Sequence, residues 1–117
     1  MMTLLETQRL IQKDPEHWYV PLMDFVDDFR RAPNLSSVAE QLDQTHECMD
    51  ALLVSVAETL CDEAGIDPPV WMEAISACKD PWFVSGFESL KAIAIVESPI
   101  RFRIRKIFVL ENFLSRA

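Results

Sequence analysis

Glycine is almost missing from this chain: Gly65 and Gly86 are the only two in 117 residues. No G-x-G-x-x-G, P-loop or nucleophile-elbow pattern occurs, so cradling of a phosphate by a glycine-rich loop is excluded. Histidine is equally scarce, with His17 and His46 as the whole supply. The three cysteines, Cys48, Cys61 and Cys78, are odd in number and contain no C-x-x-C pair. Each falls on an apolar position of a predicted helix, which reads as small hydrophobes in a reducing cytosol and not as a disulfide framework. Long apolar runs are lacking too, since a stretch such as Ala92-Ile93-Ala94-Ile95-Val96 is far too short to cross a bilayer. From Met1 to Glu6 there is no basic segment ahead of an apolar one, so no signal peptide is read. The expectation is a cytoplasmic protein without membrane association.

What the chain does have is apolar content and acid. Half of its residues are apolar, and a chain of this length buries about two-thirds of its unfolded surface in one core. Few glycines and many apolar residues favour a helix-rich globule over disorder or repeats. The formal charge of −8 is unevenly spread: residues 1–100 carry eighteen acidic side chains against six basic ones, or −12, and residues 101–117 carry five basic against one acidic, or +4. An acidic body repels phosphate, which argues against non-specific nucleic-acid binding. The basic tail has two outlets, its own acidic body or an acidic partner.

Local signals place the elements. Thr3 and Glu6 form a capping box ahead of a helix over Leu4–Lys13. Asp14-Pro15 restarts the chain, and Trp18, Leu22, Phe25, Val26 and Phe29 give an amphipathic helix to about Ala32, with Pro21 kinking it or marking its start. After Pro33-Asn34, helical spacing resumes at Leu35, Val38, Ala39 and Leu42. It is clearest from Met49 through Leu52, Leu53, Val56, Ala57, Leu60, Cys61 and Ala64, with Asp43, Glu47, Asp50, Glu58 and Asp62 on an exposed acidic side. One helix over Leu35–Ala64 would be about 45 Å long, so two are predicted, broken near Gln44-Thr45. Gly65 terminates the second in the left-handed conformation, with Ile66 as its apolar contact.

Asp67-Pro68-Pro69 opens a further helix that buries Trp71, Ala74, Ile75 and Cys78. Trp82-Phe83-Val84 reads as an exposed aromatic linker. Ser85 and Glu88 form a second capping box for a helix through Phe87, Leu90, Ile93, Ala94 and Glu97, and its apolar residues on nearly every side make it the predicted central helix. Beyond Ser98-Pro99, Ile100, Phe102 and Ile104 alternate with arginines in a strand period, but with no second strand foreseen the helical reading is preferred. The expected fold is all-α, a compact single-domain bundle of about five to seven helices over residues 1–117, with a basic C-terminal segment at 98–117.

Few residues suggest chemistry. His46-Glu47 begins like H-E-x-x-H, but Asp50 stands in the place of the second histidine, and two ligands make no site. His17 would be a general base only if a nucleophile or carboxylate converged on it, so surface or helix-end packing is the expected role, and Asp24, Asp27 and Asp28 lack the oxygen spacing and turn glycine of a calcium loop. No cofactor, metal or catalytic residue is assigned. Arginines interleaved with Phe102 and Phe108 suit stacking on bases. They equally suit protein interfaces, where arginine and aromatic anchors are readily desolvated, or pairing with the protein's own helices.

The pattern Gly65…Pro69-x-Trp71, Pro81-Trp82-Phe83, Leu90-Lys91-Ala92 and Glu97-Ser98-Pro99-x-x-Phe102-Arg103-x-Arg105-x-Ile107-Phe108-Val109-x-x-Asn112-x-Leu114-Ser115-Arg116-Ala117 resembles a family of small, largely uncharacterised bacterial proteins. Members of that family are often encoded just before a nucleotidyltransferase-like protein, in the arrangement of a toxin–antitoxin pair. Lys106 departs from the pattern, where a smaller polar residue is expected. The resemblance implies a non-enzymatic, antitoxin-like protein whose partner is a nucleotidyltransferase-like toxin, with Arg101, Phe102, Arg103, Arg105, Phe108, Trp82 and Phe83 as contact residues. A DNA-binding transcriptional autoregulator and, last, a small metal-dependent enzyme are the alternatives. Homo-oligomerisation is left open.

Overall fold

The computed structural model describes residues 1–44 and 46–115. Its elements are α1 (Leu4–Lys13), α2 (Tyr19–Arg31), α3 (Glu47–Ala64), β1 (Trp82–Phe83), α4 (Lys91–Glu97), α5 (Ile100–Arg103) and β2 (Ile107–Phe108). Single 3-10 turns lie at Pro15–His17, Leu35–Val38, Val70–Ala74 and Glu88–Leu90. The Cα radius of gyration is 13.3 Å, close to the value of about 13 Å for one compact body of this size. The architecture is mostly helical, but the short two-stranded sheet means that it is not strictly all-α.

The helix ends follow local chemistry. Thr3 Oγ1 accepts from the Glu6 amide at 3.1 Å and starts α1. Pro21 falls in the first turn of α2, where its missing N–H has no intrahelical role. His46 starts α3 by accepting at Nδ1 from the Met49 amide, 3.2 Å away. Gly65 ends α3 at φ +70°, and the Ile66 amide donates back to the Cys61 carbonyl at 2.9 Å, the Schellman closure that favours glycine.

The centre of the fold is α3 and not α4, which corrects the expectation above. Residues 50–58, 60 and 61 of α3 are all buried, and the helix packs against α1, α2 and α5. The middle of the helix is covered on every side and its ends are not, so Glu47, Asp62 and Glu63 stay exposed while the acids of the covered stretch need partners. Asp50 and Glu58, expected on an exposed side, are buried. In α4 only Ala94 is buried.

Two predicted helices shrink to 3-10 turns. At Leu35–Val38 the Asn34 side chain takes the Ser36 amide (2.9 Å) and the Trp71 indole N–H takes the Val38 carbonyl (3.1 Å), so local and tertiary bonds replace the helical ladder. At Val70–Ala74 the next carbonyls are claimed by the Arg105 guanidinium. The predicted break near Gln44-Thr45 is present, since Gln44 is irregular and α3 begins at Glu47; Thr45 itself lies outside the described residues. The Ser85–Glu88 capping box is not formed: Gly86 turns at φ +74° and Glu88 pairs with Lys91 at 2.9 Å.

The aromatic linker is in fact β1, which pairs in parallel with β2 in the register Trp82↔Ile107 and Phe83↔Phe108. Residues 84–106, holding α4 and α5, form the crossover that a parallel pair requires. Ile100–Lys106 is therefore helix and turn, and the strand begins only at Ile107. Ser98 clasps the crossover: its Oγ accepts from the Val109 amide at 2.8 Å and lies 2.5 Å from the Ala94 carbonyl. Cys48 and Cys78 are joined as a disulfide with Cα atoms 4.8 Å apart, so two of the three cysteines are not free small hydrophobes as expected. Buried Cys61 keeps that role.

Candidate interaction surface

The tail arginines divide by helical position. Arg105, 5% exposed, donates from Nη1 to Glu58, itself 2% exposed, from Nη2 to the Met72 carbonyl (2.9 Å) and from Nε to the Ile75 carbonyl (3.3 Å). Four residues earlier, Arg101 grips Asp62 with two bonds, Nε to Oδ2 at 3.0 Å and Nη2 to Oδ1 at 3.1 Å, and reaches Glu58 Oε2 at 3.4 Å. Asp62 holds the Arg101 guanidinium above its ordinary pKa, chiefly through those bonds. The +4 of the tail is thus partly spent within the fold, since Glu58 and Asp62 of α3 neutralise two of its cations. Arg103 and Lys106 remain exposed, and neither makes a salt bridge among the described residues. Arg116 lies outside the described residues, as does Ala117.

Of the residues the sequence nominates for contact, Phe102 is fully buried and meets Phe113 edge-on at 6.1 Å. It and Arg105 belong to the core in this fold. Strand pairing brings the other aromatics together: Phe83 and Phe108 stack with centroids 5.0 Å apart, and Trp82 leans on Trp18 at 6.0 Å. All three are half-buried, and Lys91 Nζ stands 5.2 Å from the centre of the Phe83 ring.

The residues that sequence reasoning missed are aliphatic. Val96 is 78% exposed, Ile100 59% and Ile104 57%, with Ile93, Ile95 and Phe87 also exposed. Ile93 and Val96 are three apart on α4. Ile100 and Ile104 are one turn apart, joined by the Ile104 amide to Ile100 carbonyl bond of 3.1 Å, and so share a face. Because Arg101 and Arg105 turn toward α3, Ile100 and Ile104 turn outward. The available signal was the run from Ala92 to Val96: a short helix apolar all round is either enclosed or waiting to be covered, and composition does not separate the two.

The residues considered for chemistry are placed structurally. His46 caps α3, and Asp50 accepts from Gln8 Nε2 at 2.9 Å. His17 pairs with Asp14 at 2.9 Å on the surface. Asp28 accepts from the Met2 amide at 3.0 Å and pairs with Arg31 at 3.1 Å; the Met2 amide is the main reason its carboxyl lies below the usual range. Among the described residues no group of three or more His, Cys, Asp or Glu is arranged to hold a metal, and no helix is long and apolar enough to cross a membrane. No family model, no curated protein and no solved structure matches the chain.

Proposed function

We propose that this protein is a non-enzymatic protein-binding module, and that its partner docks on the aliphatic ridge of Ile93, Val96, Ile100 and Ile104. The carrying observation is that these four exposed large aliphatics fall within twelve residues along the consecutive helices α4 and α5, whereas Leu10, Val20, Leu35 and Val70, also exposed, are scattered along the chain. Clustered exposed apolar side chains with a polar border mark interaction sites. Arg103 and Lys106 supply such a border, and the Phe83–Phe108 stack extends the apolar contact on β1 and β2. A stable interface takes about 800 Å² from each partner, more than four aliphatic side chains provide, which brings the aromatic pair and the basic border into it.

Following the family resemblance, the partner is a nucleotidyltransferase-like toxin and this chain is its antitoxin-like restraint. The acidic body, −12 over residues 1–100, suits it to cover a basic, nucleotide-handling surface, while Arg103 and Lys106 at the border of the docking face call for acidic groups opposite them on the partner. The autoregulator reading loses support, because Arg101 and Arg105 are engaged with Glu58 and Asp62 and no longer add to a basic patch.

Co-expression of this chain with the adjacent reading frame, followed by affinity capture and size-exclusion chromatography, tests the proposal. The two proteins are expected to co-elute. Val96→Asp and Ile104→Asp are each expected to weaken the complex at least about tenfold, as desolvated anchors do, while leaving the thermal midpoint of the isolated chain within about 2 °C, as exposed sites do. A stable monomer with no affinity for the neighbour, or ridge variants that bind as wild type, would refute it.

A further inference from the structure

The first turn of α3, the Pro15 turn and the residues entering β1 enclose a groove of about 570 Å³, within the range of about 300–1,000 Å³ typical of small-molecule sites. Ile11, Met49 and Trp82 form apolar walls. Cys48 lines the same groove and is half-buried, whereas its partner Cys78 is buried and does not line it. One sulfur of the bond therefore faces a cleft of ligand size and the other faces the core. The ionisable groups on the lining are His46, Asp50 and Asp80, with no lysine or arginine among them.

We propose that Cys48–Cys78 is a reversible thiol–disulfide exchange site for small thiols that are neutral or cationic away from sulfur. A thiolate entering the groove attacks Cys48 Sγ. The bond between the two cysteine sulfurs breaks, Cys78 leaves as a thiolate and takes a proton from solvent, and a mixed disulfide remains on Cys48. A second thiolate attacks the small-molecule sulfur of that mixed disulfide, releasing the symmetrical small disulfide and the Cys48 thiolate. The protein cystine is reduced by two electrons and two small thiols are oxidised. The reverse sequence, with the small disulfide as oxidant, restores the bond. Attack is directed to Cys48 because access decides which sulfur reacts. Selection by charge follows from Asp50 and Asp80 on the lining, which repel an anionic substituent and attract a cationic one. Cys61, fully buried and away from the groove lining, takes no part.

The test uses the full chain, oxidised, with cysteamine and glutathione as probes at matched thiolate concentration. Thiols are trapped by alkylation and followed by intact mass, and each rate is divided by the same probe's rate on the urea-unfolded chain. At low salt the normalised rate for cysteamine is expected to exceed that for glutathione at least about threefold. The ratio should fall toward one near 1 M salt, where the screening length is about 3 Å, and should shrink in Asp80→Asn. Peptide mapping of the trapped intermediate, and of Cys78→Ser treated with cystamine, should place the adduct on Cys48. Equal normalised rates, an adduct on Cys61, or three alkylatable thiols persisting after treatment of the wild-type chain with excess cystamine would each overturn the proposal. Mapping on the wild-type chain keeps the test decisive if Cys78→Ser does not fold.

Discussion

Replacing Arg105 by alanine should be among the most damaging single changes to this fold. The guanidinium is nearly enclosed and its charge is answered by Glu58, which is also enclosed. Removing one member of such a pair strands the other charge out of water, at a cost of about 3–5 kcal/mol. The Met72 carbonyl, bonded at 2.9 Å, loses its donor as well. For a chain of this length the expected fall in Tm is about 12–20 °C, taking about 4 °C per kcal/mol. The comparison that isolates the cause is the double variant Glu58→Leu/Arg105→Met. It removes both charges, so it should recover the stranded-charge part of the loss and retain a deficit of about 1–3 kcal/mol from the unanswered Met72 and Ile75 carbonyls. Urea unfolding followed by far-ultraviolet circular dichroism measures all three proteins, and an unchanged m-value confirms that the compared states are the same. An Arg105→Ala loss below about 1 kcal/mol, the range of exposed ion pairs, would mean that the tail is not sealed against α3. A double variant no better than the single one would refute the stranded-charge explanation.

Four further outcomes are expected. Gly65→Ala should cost about 1 kcal/mol in urea unfolding, because its φ of +70° is strained for an L side chain although a Cβ there meets nothing within 4 Å; Gly65→Asn should cost less. Lys106 stands at φ +60°, so Lys106→Asn should raise stability by up to about 1 kcal/mol, and a loss would show that the lysine side chain itself is needed. Asp28 has its folded pKa lowered from 3.8, mainly by the Met2 amide. Its contribution is complete above the unfolded value and is lost as pH falls through the depressed folded one, so the Tm gap between wild type and Asp28→Asn should be present at pH 7 and should shrink as the pH is lowered below 3.8. Burial, aided by the negative charges of Asp62 and Glu58, pushes the Cys61 thiol up to about 11; at pH 8 its labelling should track unfolding, and rapid labelling in the native state would contradict the packing of α3.

The parts of this fold legible in the sequence are those decided within a few residues. The Thr3 cap, the closure at Gly65, and the positions of α1, α2 and α3 depend on side-chain to backbone bonds or on helical spacing, both visible over a short window. What escaped depends on distant partners. Glu58 and Arg105 are 47 residues apart, and from its own neighbours Glu58 is indistinguishable from a solvated glutamate. The helical reading holds at Ile100–Arg103, and what is not legible is the strand at Ile107-Phe108, because its partner Trp82-Phe83 lies across the α4–α5 excursion. For the surface, Phe83 and Phe108 are nominated separately by the sequence and their stacking is not, and the apolar run Ala92 to Val96 reads as central helix although Ile93, Ile95 and Val96 are exposed.

In α5 and the turn after it, anchoring and display fall on adjacent positions: Arg101 and Arg105 hold the segment to α3 while Ile100 and Ile104 look away from it. Such an arrangement separates two kinds of selection. If the proposed docking role holds, drift at 100 and 104 retunes who is recognised without loosening the scaffold, whereas drift at 101 and 105 undermines the scaffold itself. A library varied only at the outward pair would therefore sample new binding preferences on an undamaged frame.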